Sequence, residues 1–393
     1  MPFDPSLLFF ALAAVGLAAV AVQLALLLRH LRGPVRPPRS ATPVSILKPL
    51  CGVDDGLEEN LASFAALAWP DFEVVLGVRS AGDPAYPLAR AAARRWPGRL
   101  RGVRHRGAPG MNPKVNQLLT LARAARHDVL VVSDSNVRVD PGYLAEIVGL
   151  LEDEEVGLVT HPISGEGEVR LGSLMDHLHL TGAITPGIVA AKSLAGRDIV
   201  VGKSMALRRR DLEALGGFES VRDVLAEDYV MGCMISRVLG KRVAVARTPV
   251  RNVSTSRSVR DFSARYRRWG VIQRHAAGRL PYAGLALLNP VLLAALGLAA
   301  APGAASLGAL AATCGAKIVL DGAAARALRP GGFRVRQLAL VPLKDLLFGT
   351  AWAVGLFRSQ VAWRGNRIVV GPGTRIERPS AAGVAAAVPS AAA

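Results

Sequence analysis

The chain has 393 residues, of which 51% are hydrophobic, and 48 Lys and Arg stand against 30 Asp and Glu for a formal charge of +18. That length and apolar content suit a full-sized enzyme core and exclude a disordered chain, while three isolated cysteines, Cys51, Cys233 and Cys314, exclude a disulfide scaffold and a CxxC zinc pair. A mean hydropathy of +0.31 beside 20% charged residues means that apolar residues are segregated along the chain.

The first such run is Leu7 to Leu28, where only Gln23 is clearly polar. At roughly 1.5 Å per residue it makes about 33 Å of helix, enough for a hydrocarbon core of roughly 30 Å. A cleaved signal would start with a basic stretch; here Asp4 is the only preceding charge, and Arg29, Arg32, Arg36 and Arg39 follow. Residues 1–29 are therefore expected to be a transmembrane anchor with the rest of the chain on the cytoplasmic side. The Pro- and Arg-rich residues 30–42 read as a stiff stalk.

Residues 43–280 alternate short β-type runs with helical patterns. Strands are expected at 44–47, 72–78, 128–132, 156–160, 199–207 and 242–248. Helices are expected at 56–67, 84–95, 114–125, 141–151, 227–238 and 260–275. This α/β alternation predicts a doubly wound sheet with its ligand at the carboxyl ends of the strands.

Residues 281–357 are apolar again. Ala283 to Ala301 is broken at Asn289-Pro290, and Ala304 to Leu320 forms the return arm of a helical hairpin. Leu338 to Leu356 carries Lys344 and Asp345, a pair costly in lipid, so a span and a re-entrant or interfacial helix both fit. A basic cytoplasmic segment, 358–379, and an unstructured Ala-rich tail, 380–393, complete the chain. The excess of arginine over lysine points to a GC-rich, bacterial genome, and so to the bacterial inner membrane.

Three features can carry chemistry. Asp134, in Ser133-Asp134-Ser135-Asn136, follows the 128–132 strand. A carboxylate there can hold a divalent cation whose octahedron phosphate oxygens and water complete, or can satisfy the backbone of a turn. Asp228, in Ala226-Glu227-Asp228-Tyr229, starts a helix and can act as a base or simply complement the helix dipole. Arg265, Arg268 and Trp269 lie on one helix, where two guanidiniums three residues apart can grip a pyrophosphate and the indole can wall a pocket, or the helix can meet anionic lipid.

Taken in order, Lys48-Pro49-Leu50 with Gly52-Val53-Asp54, Gly82-Asp83-Pro84-Ala85, Asn112-Pro113-Lys114-Val115-Asn116, Ser133-Asp134-Ser135, Ala226-Glu227-Asp228-Tyr229 and Arg265-x-x-Arg268-Trp269 resemble the ceramide glucosyltransferases. These are membrane-anchored, inverting enzymes with a GT-A fold. The resemblance covers roughly residues 1 to 290. It implies a doubly wound mixed sheet and transfer of a hexose, glucose foremost, from a UDP-sugar to the primary hydroxyl of a ceramide-like lipid. Asp83 would then read the base or ribose, Lys114 neutralise the diphosphate, and Asn116 help orient it. Asp134 would serve metal (Mg2+ or Mn2+) and diphosphate, and Asp228 would be the general base. Arg265, Arg268 and Trp269 would close on pyrophosphate and acceptor. Asn136 stands where a full D-x-D has its second carboxylate, which puts metal dependence in question.

One carboxylate base agrees with inversion, whereas a retaining glycosidase needs two. A hopanoid N-acetylglucosaminyltransferase and a non-catalytic nucleotide-sugar or lipid binder remain alternatives. Nucleic acid is not an expected partner, because the basic residues flank apolar spans and no recognition motif is present.

Overall fold

The computed structural model describes residues 4–363 and 366–377; the Ala-rich tail 380–393 lies outside them. The central sheet has seven strands: β1 (Val44–Pro49), β2 (Phe72–Val78), β3 (Leu100–Arg104), β4 (Val129–Val132), β6 (Val156–Thr160), β8 (Met205–Arg208) and β9 (Arg242–Val245). Their order is β3-β2-β1-β4-β8-β6-β9. The first four are parallel, β8 is antiparallel to both of its neighbours, and β9 is parallel to β6. The sheet is therefore mixed, with β1 and β4 near its centre.

Burial on both faces explains the unbroken apolar runs of these strands. Ile46, Val74 and Val131 pack on one side, in a core shared with Phe64, Ala89 and Ile147. Leu47, Val75, Leu130 and Val132 fill the other side against Leu118, Leu121 and Met231. A second sheet joins β5 (Val137–Arg138), β10 (Val250–Val253) and β7 (Ile163–Glu166) in that order.

Two strand expectations overrun the observed strands, 242–248 (strand over Arg242–Val245) and 199–207, and one strand was not expected. Of residues 199–207 only the end is strand; 201–204 form a turn closed by Ser204 N donating to the Val201 carbonyl at 3.3 Å, because Gly202 and two polar residues interrupt the apolar run. Strand β3 went unread because it is the sheet edge, where Arg101, which pairs with Glu73 at 2.7 Å, and exposed Arg104 interrupt the apolar alternation.

The 30–42 linker is docked along the domain instead of standing free. His30 and Arg247 hydrogen-bond each other's side chains at 2.8 Å, and His30 also reaches the Ala246 carbonyl. Arg39 and Ser40 donate their backbone N–H groups to Glu152.

Among the described residues three helices are long and apolar enough to cross a membrane: Pro5–Leu31, Ala304–Leu328 and a Val335–Phe357 stretch. Helical stretches Arg279–Leu288 and Pro290–Ala300 form a pair bent by 82°, with Asn289 capping the second through Leu292 N. The expected break at Asn289-Pro290 is thus present. Lys344 and Asp345 are tolerated because they meet Lys317 and Asp321 in a closed quartet: Lys344 contacts Asp321 at 3.0 Å and Asp345 at 2.7 Å, while Lys317 pairs with Asp321 and lies 3.5 Å from Asp345. All four are buried and their charges cancel.

Near the C-terminal end of the described residues β11 (Gln360–Trp363), β12 (Asn366–Val370) and β13 (Ile376–Glu377) form a three-stranded sheet. That sheet lies within the segment expected only to be basic. It holds the chain just before Asp228, through Leu225 N to the Thr374 carbonyl at 2.9 Å and Ile376 N to the Asp223 carbonyl at 2.8 Å.

Candidate active site

The loops that follow β1, β2 and β4 converge at one end of the central sheet. Gly52 N and Ala85 N both donate to one oxygen of Asp83 at 2.9 Å. Asp54, in the same loop as Gly52, accepts the Ser135 hydroxyl. Lys48, buried in β1 against the Phe64 ring, donates to the Asp134 carbonyl at 2.7 Å. Burial lowers its pKa, with Asp134 pulling the other way.

Asp134 is clasped between two lysines. Lys114 Nζ lies 3.0 Å from Oδ1 and Lys203 Nζ 3.0 Å from Oδ2. Burial opposes its charge, but the two ammoniums outweigh it and hold the carboxyl well below the usual range. Lys114 comes from the first turn of helix Pro113–Ala124, whose cap, Asn112, accepts Lys114 N at 2.9 Å. Its ammonium also reaches Glu227 at 2.8 Å, and Asp134, Glu227 and Asp228 together raise its pKa against the cost of burial. Lys203 additionally donates to Asn136 Oδ1 at 2.7 Å.

Asp228 starts helix Glu227–Arg237 and accepts Gly202 N at 2.5 Å and Tyr229 N at 2.8 Å. Burial, followed by the adjacent Glu227 charge, pushes it up to about 6, with Lys114 opposing. Gly202 separates the two groups: a Cβ there would sit 2.7 Å from Lys114 Nζ and 3.0 Å from Asp228 Oδ2. Ser204 anchors this turn, bonding Tyr143 at 2.6 Å and His161 at 2.8 Å. A carboxylate tuned toward neutrality, beside a lysine-lined anion site, is what hydroxyl activation next to a phosphate leaving group requires.

The sequence profile of glycosyl transferase family 21 matches residues 8–376. The chain belongs to glycosyl transferase family 21. The resemblance to the ceramide glucosyltransferases is borne out by curated relatives. "Ceramide glucosyltransferase 1" of Caenorhabditis elegans is 29% identical over 247 residues, which is 60% of this chain and 50% of that one. A ceramide glucosyltransferase of Komagataella phaffii is 30% identical over 192 residues, 43% of this chain and 38% of that one. The chain thus spans about half the length, or less, of the curated relatives it matches. Among solved structures it is similar to a mannosyltransferase from Pyrobaculum calidifontis in complex with GDP-Man and Mn2+, at 22% identity, covering 88% of this chain and 99% of that one with a TM-score of 0.47.

In this family 21 protein the mixed α/β sheet expected of a GT-A enzyme is present. The structure brings Lys114, Asp134 and Asp228 into one network and ties Asp83 to it through the 50–56 loop. Two expected donor contacts are placed differently. Asn116 spends both ends of its amide on Gly110, accepting its N–H at 2.8 Å and donating to its carbonyl at 2.7 Å, so it shapes the loop before Lys114.

Arg265 turns inward on helix Val259–Ala277. It pairs with buried Asp176 at 3.1 Å and lies over the Trp269 ring, its carbon 4.8 Å from the centroid. It braces Trp269 while Arg268 stays partly exposed. Lys48, Lys203, Glu227 and Asp176 were missed by the sequence reading. Lys48 and Glu227 lie inside motifs already quoted, where they were given no role, but Lys203 fell in an expected strand and Asp176 sits in an apolar helix without any motif.

Proposed function

We propose that this chain transfers a hexose, glucose foremost, from its UDP donor to the primary hydroxyl of a ceramide-like lipid, with inversion, at a bacterial inner membrane with the α/β domain on the cytoplasmic side. The observation that carries this reading is Asp228: a carboxylate pushed up to about 6 by burial and by the Glu227 charge, bonded to the same turn that presents Lys203 and joined electrostatically to Lys114 and, through it, to Asp134. The names of the curated relatives supply the lipid and sugar class.

In this mechanism Asp228 takes the proton of the acceptor hydroxyl as its oxygen attacks the anomeric carbon from the face opposite the leaving group. Near pH 7 a carboxyl of pKa about 6 is mostly ionised yet still basic enough to help, and such transfer contributes roughly 10²–10⁴ in rate. Charge accumulates on the departing diphosphate, where Lys114 is already fixed by Asp134 and Glu227 and Lys203 stands beside it, so positive charge is in place before the reaction.

The donor set admits a divalent cation only together with nucleotide. Asp134 and the Asn136 amide are hard oxygen donors, and among the described residues no group of three His, Cys, Asp or Glu could hold a metal. A Mg2+ or Mn2+ there would be held by Asp134 with phosphate oxygens and would polarise the leaving group.

The acceptor end follows from packing. Helix Val259–Ala277 lies against the membrane-type helix Val341–Phe357, where Tyr266 meets Phe348 at 5.7 Å and Gly270 and Gly355 both face the Tyr282 hydroxyl. Trp269 is thereby carried on an element fixed to the apolar helices, as a lipid acceptor with its tails in a bilayer requires.

The test is transfer of labelled glucose from UDP-glucose to ceramide by membranes containing the protein. Label on ceramide, absent in the Asp228→Asn variant, is the expected result. Label found only on a hopanoid from UDP-N-acetylglucosamine would reassign the substrates, and UDP binding without transfer to any extracted lipid would leave a binding protein.

A further inference from the structure

We propose that Lys203 is a diphosphate-binding residue that exchanges its Asp134 contact for a phosphate oxygen of the donor, so that donor binding persists when divalent cations are removed. The inference rests on the donor reading of this site and goes beyond it.

The contacts of Lys203 suit exchange. Its ammonium is held by one oxygen of Asp134 at 3.0 Å and by the neutral Asn136 amide oxygen at 2.7 Å. Its side chain retains 11% exposure and that of Asp134 26%, so a ligand can reach the pair. By contrast Lys114 is held by two carboxylates, Asp134 and Glu227, at 3.0 and 2.8 Å, and Lys48 is enclosed and committed to the Asp134 carbonyl. Of the three lysines, Lys203 therefore gives up least on moving to a phosphate.

The charge balance gives that move a purpose. Lys48, Lys114, Lys203 and, within electrostatic reach, Arg265 face Asp54, Asp134, Glu227 and Asp228, four cations to four carboxylates. An arriving diphosphate brings an excess of negative charge into a partly buried site, and something must offset it. Both oxygens of Asp134 carry an ammonium before donor arrives. If Lys203 moves to the phosphate, it supplies positive charge at the leaving group and vacates Asp134 Oδ2 in the same step. A cation can then take the vacated oxygen, or Lys203 and Lys114 can hold the diphosphate by themselves.

The backbone supports a fixed starting point for that exchange. Lys203 is carried on the 201–204 turn, which Ser204 pins to Tyr143 and His161 and Gly202 N pins to Asp228. Only the lysine side chain has to move, by an amount that a flexible four-carbon stem readily covers.

The experiment is calorimetric titration of the full-length purified protein with UDP, in EDTA and again in Mn2+, for wild type, Lys203→Met and Lys203→Arg, with glucosyl transfer followed in parallel. Wild type is expected to bind UDP in EDTA within about tenfold of its affinity in Mn2+. Lys203→Met should weaken binding at least about tenfold in EDTA but no more than about threefold in Mn2+, as befits a charge-assisted contact that a cation can replace. Lys203→Arg, which keeps the charge and guards against a folding artefact, should bind within about threefold of wild type in both buffers.

Undetectable UDP binding by wild type in EDTA would overturn the proposal, as would an equal loss for Lys203→Met in both buffers. Either result with intact glucosyl transfer would leave the proposed function standing. The expected binding pattern with no transfer to any lipid would do the reverse.

Discussion

Replacing Asp228 by Asn separates the proton acceptor from the architecture around it. The carboxylate accepts Gly202 N on Oδ2 and Tyr229 N on Oδ1. An amide can accept only one of them, and its NH2 must face the other N–H. The cost is one broken buried hydrogen bond, about 1–3 kcal/mol, partly offset by removing the repulsion from Glu227 that helps push Asp228 up to about 6.

Donor binding should survive the change, because Lys114 keeps Asp134 and Glu227. Chemistry should not. Turnover is expected to fall at least about 100-fold, the lower end of what a positioned base contributes. The pH profile supplies a second reading. Protonation of a group with a pKa of about 6 removes the base as pH falls, so wild-type kcat/KM should halve near pH 6 and drop about tenfold per unit below it, and this limb should vanish in the variant. Initial rates of glucosyl transfer between pH 4.5 and 8, beside UDP titrations, measure both. Turnover within tenfold of wild type, with the acid limb retained, would refute Asp228 as the base.

Further substitutions probe the supports of the site. Gly202→Ala places a methyl 2.7 Å from Lys114 Nζ and 3.0 Å from Asp228 Oδ2; displacing either group by about 1 Å should cost about 100-fold in kcat while circular dichroism stays unchanged. Arg265→Ala strips fully buried Asp176 of its closest cation and should destabilise the fold by about 3–5 kcal/mol, seen as a lowered Tm that adding Asp176→Asn partly restores. Lys344→Met leaves two aspartates facing one lysine between apolar helices, so monodisperse protein should be lost on size-exclusion chromatography and regained when Asp345→Asn rebalances the charge.

Local chemistry made much of this molecule legible from its sequence. Val74, Val75 and Leu76 could only be a strand buried on both faces, and β2 occupies the span expected of it. Asp134 lies just beyond a run, Val129–Val132, whose burial forces it into the sheet centre, so its position at a strand end followed directly. Lys203 was hidden for the opposite reason. Met205 to Leu207 read as part of a longer strand; Gly202 and the two polar residues after it mark the interruption, but nothing local says what the lysine meets. The antiparallel insertion of β8 between β4 and β6, a non-local pairing, brings Lys203 beside Asp134.

Asp176 and Arg265 are 89 residues apart, and neither carries a sign of its partner. The arginine could be recognised as functional-looking, but which way it pointed depended on a helix the motif does not contain.

That orientation changes the meaning of the Arg-rich motif. Two arginines three apart share a helix face in projection, yet helix Val259–Ala277 packs Phe262, Tyr266 and Trp269 against Met175 and Phe348, which draws Arg265 into the interior with them. A buried guanidinium must be paired, and Asp176, which also accepts the Tyr266 hydroxyl at 2.8 Å, supplies that pair. Arg265 therefore positions Trp269 through the stacked guanidinium and locks the helix to the domain. Its charge is still felt at the proposed diphosphate site, since it adds to the burial that lowers the Lys203 pKa and is itself supported by Asp134. In the proposed reaction the division of labour is then between Lys114 and Lys203, carried on a helix start and a turn beside the central sheet, which would meet the donor, and an arginine on the helix packed against the apolar helix Val341–Phe357, which would hold the wall of the acceptor side in register with them.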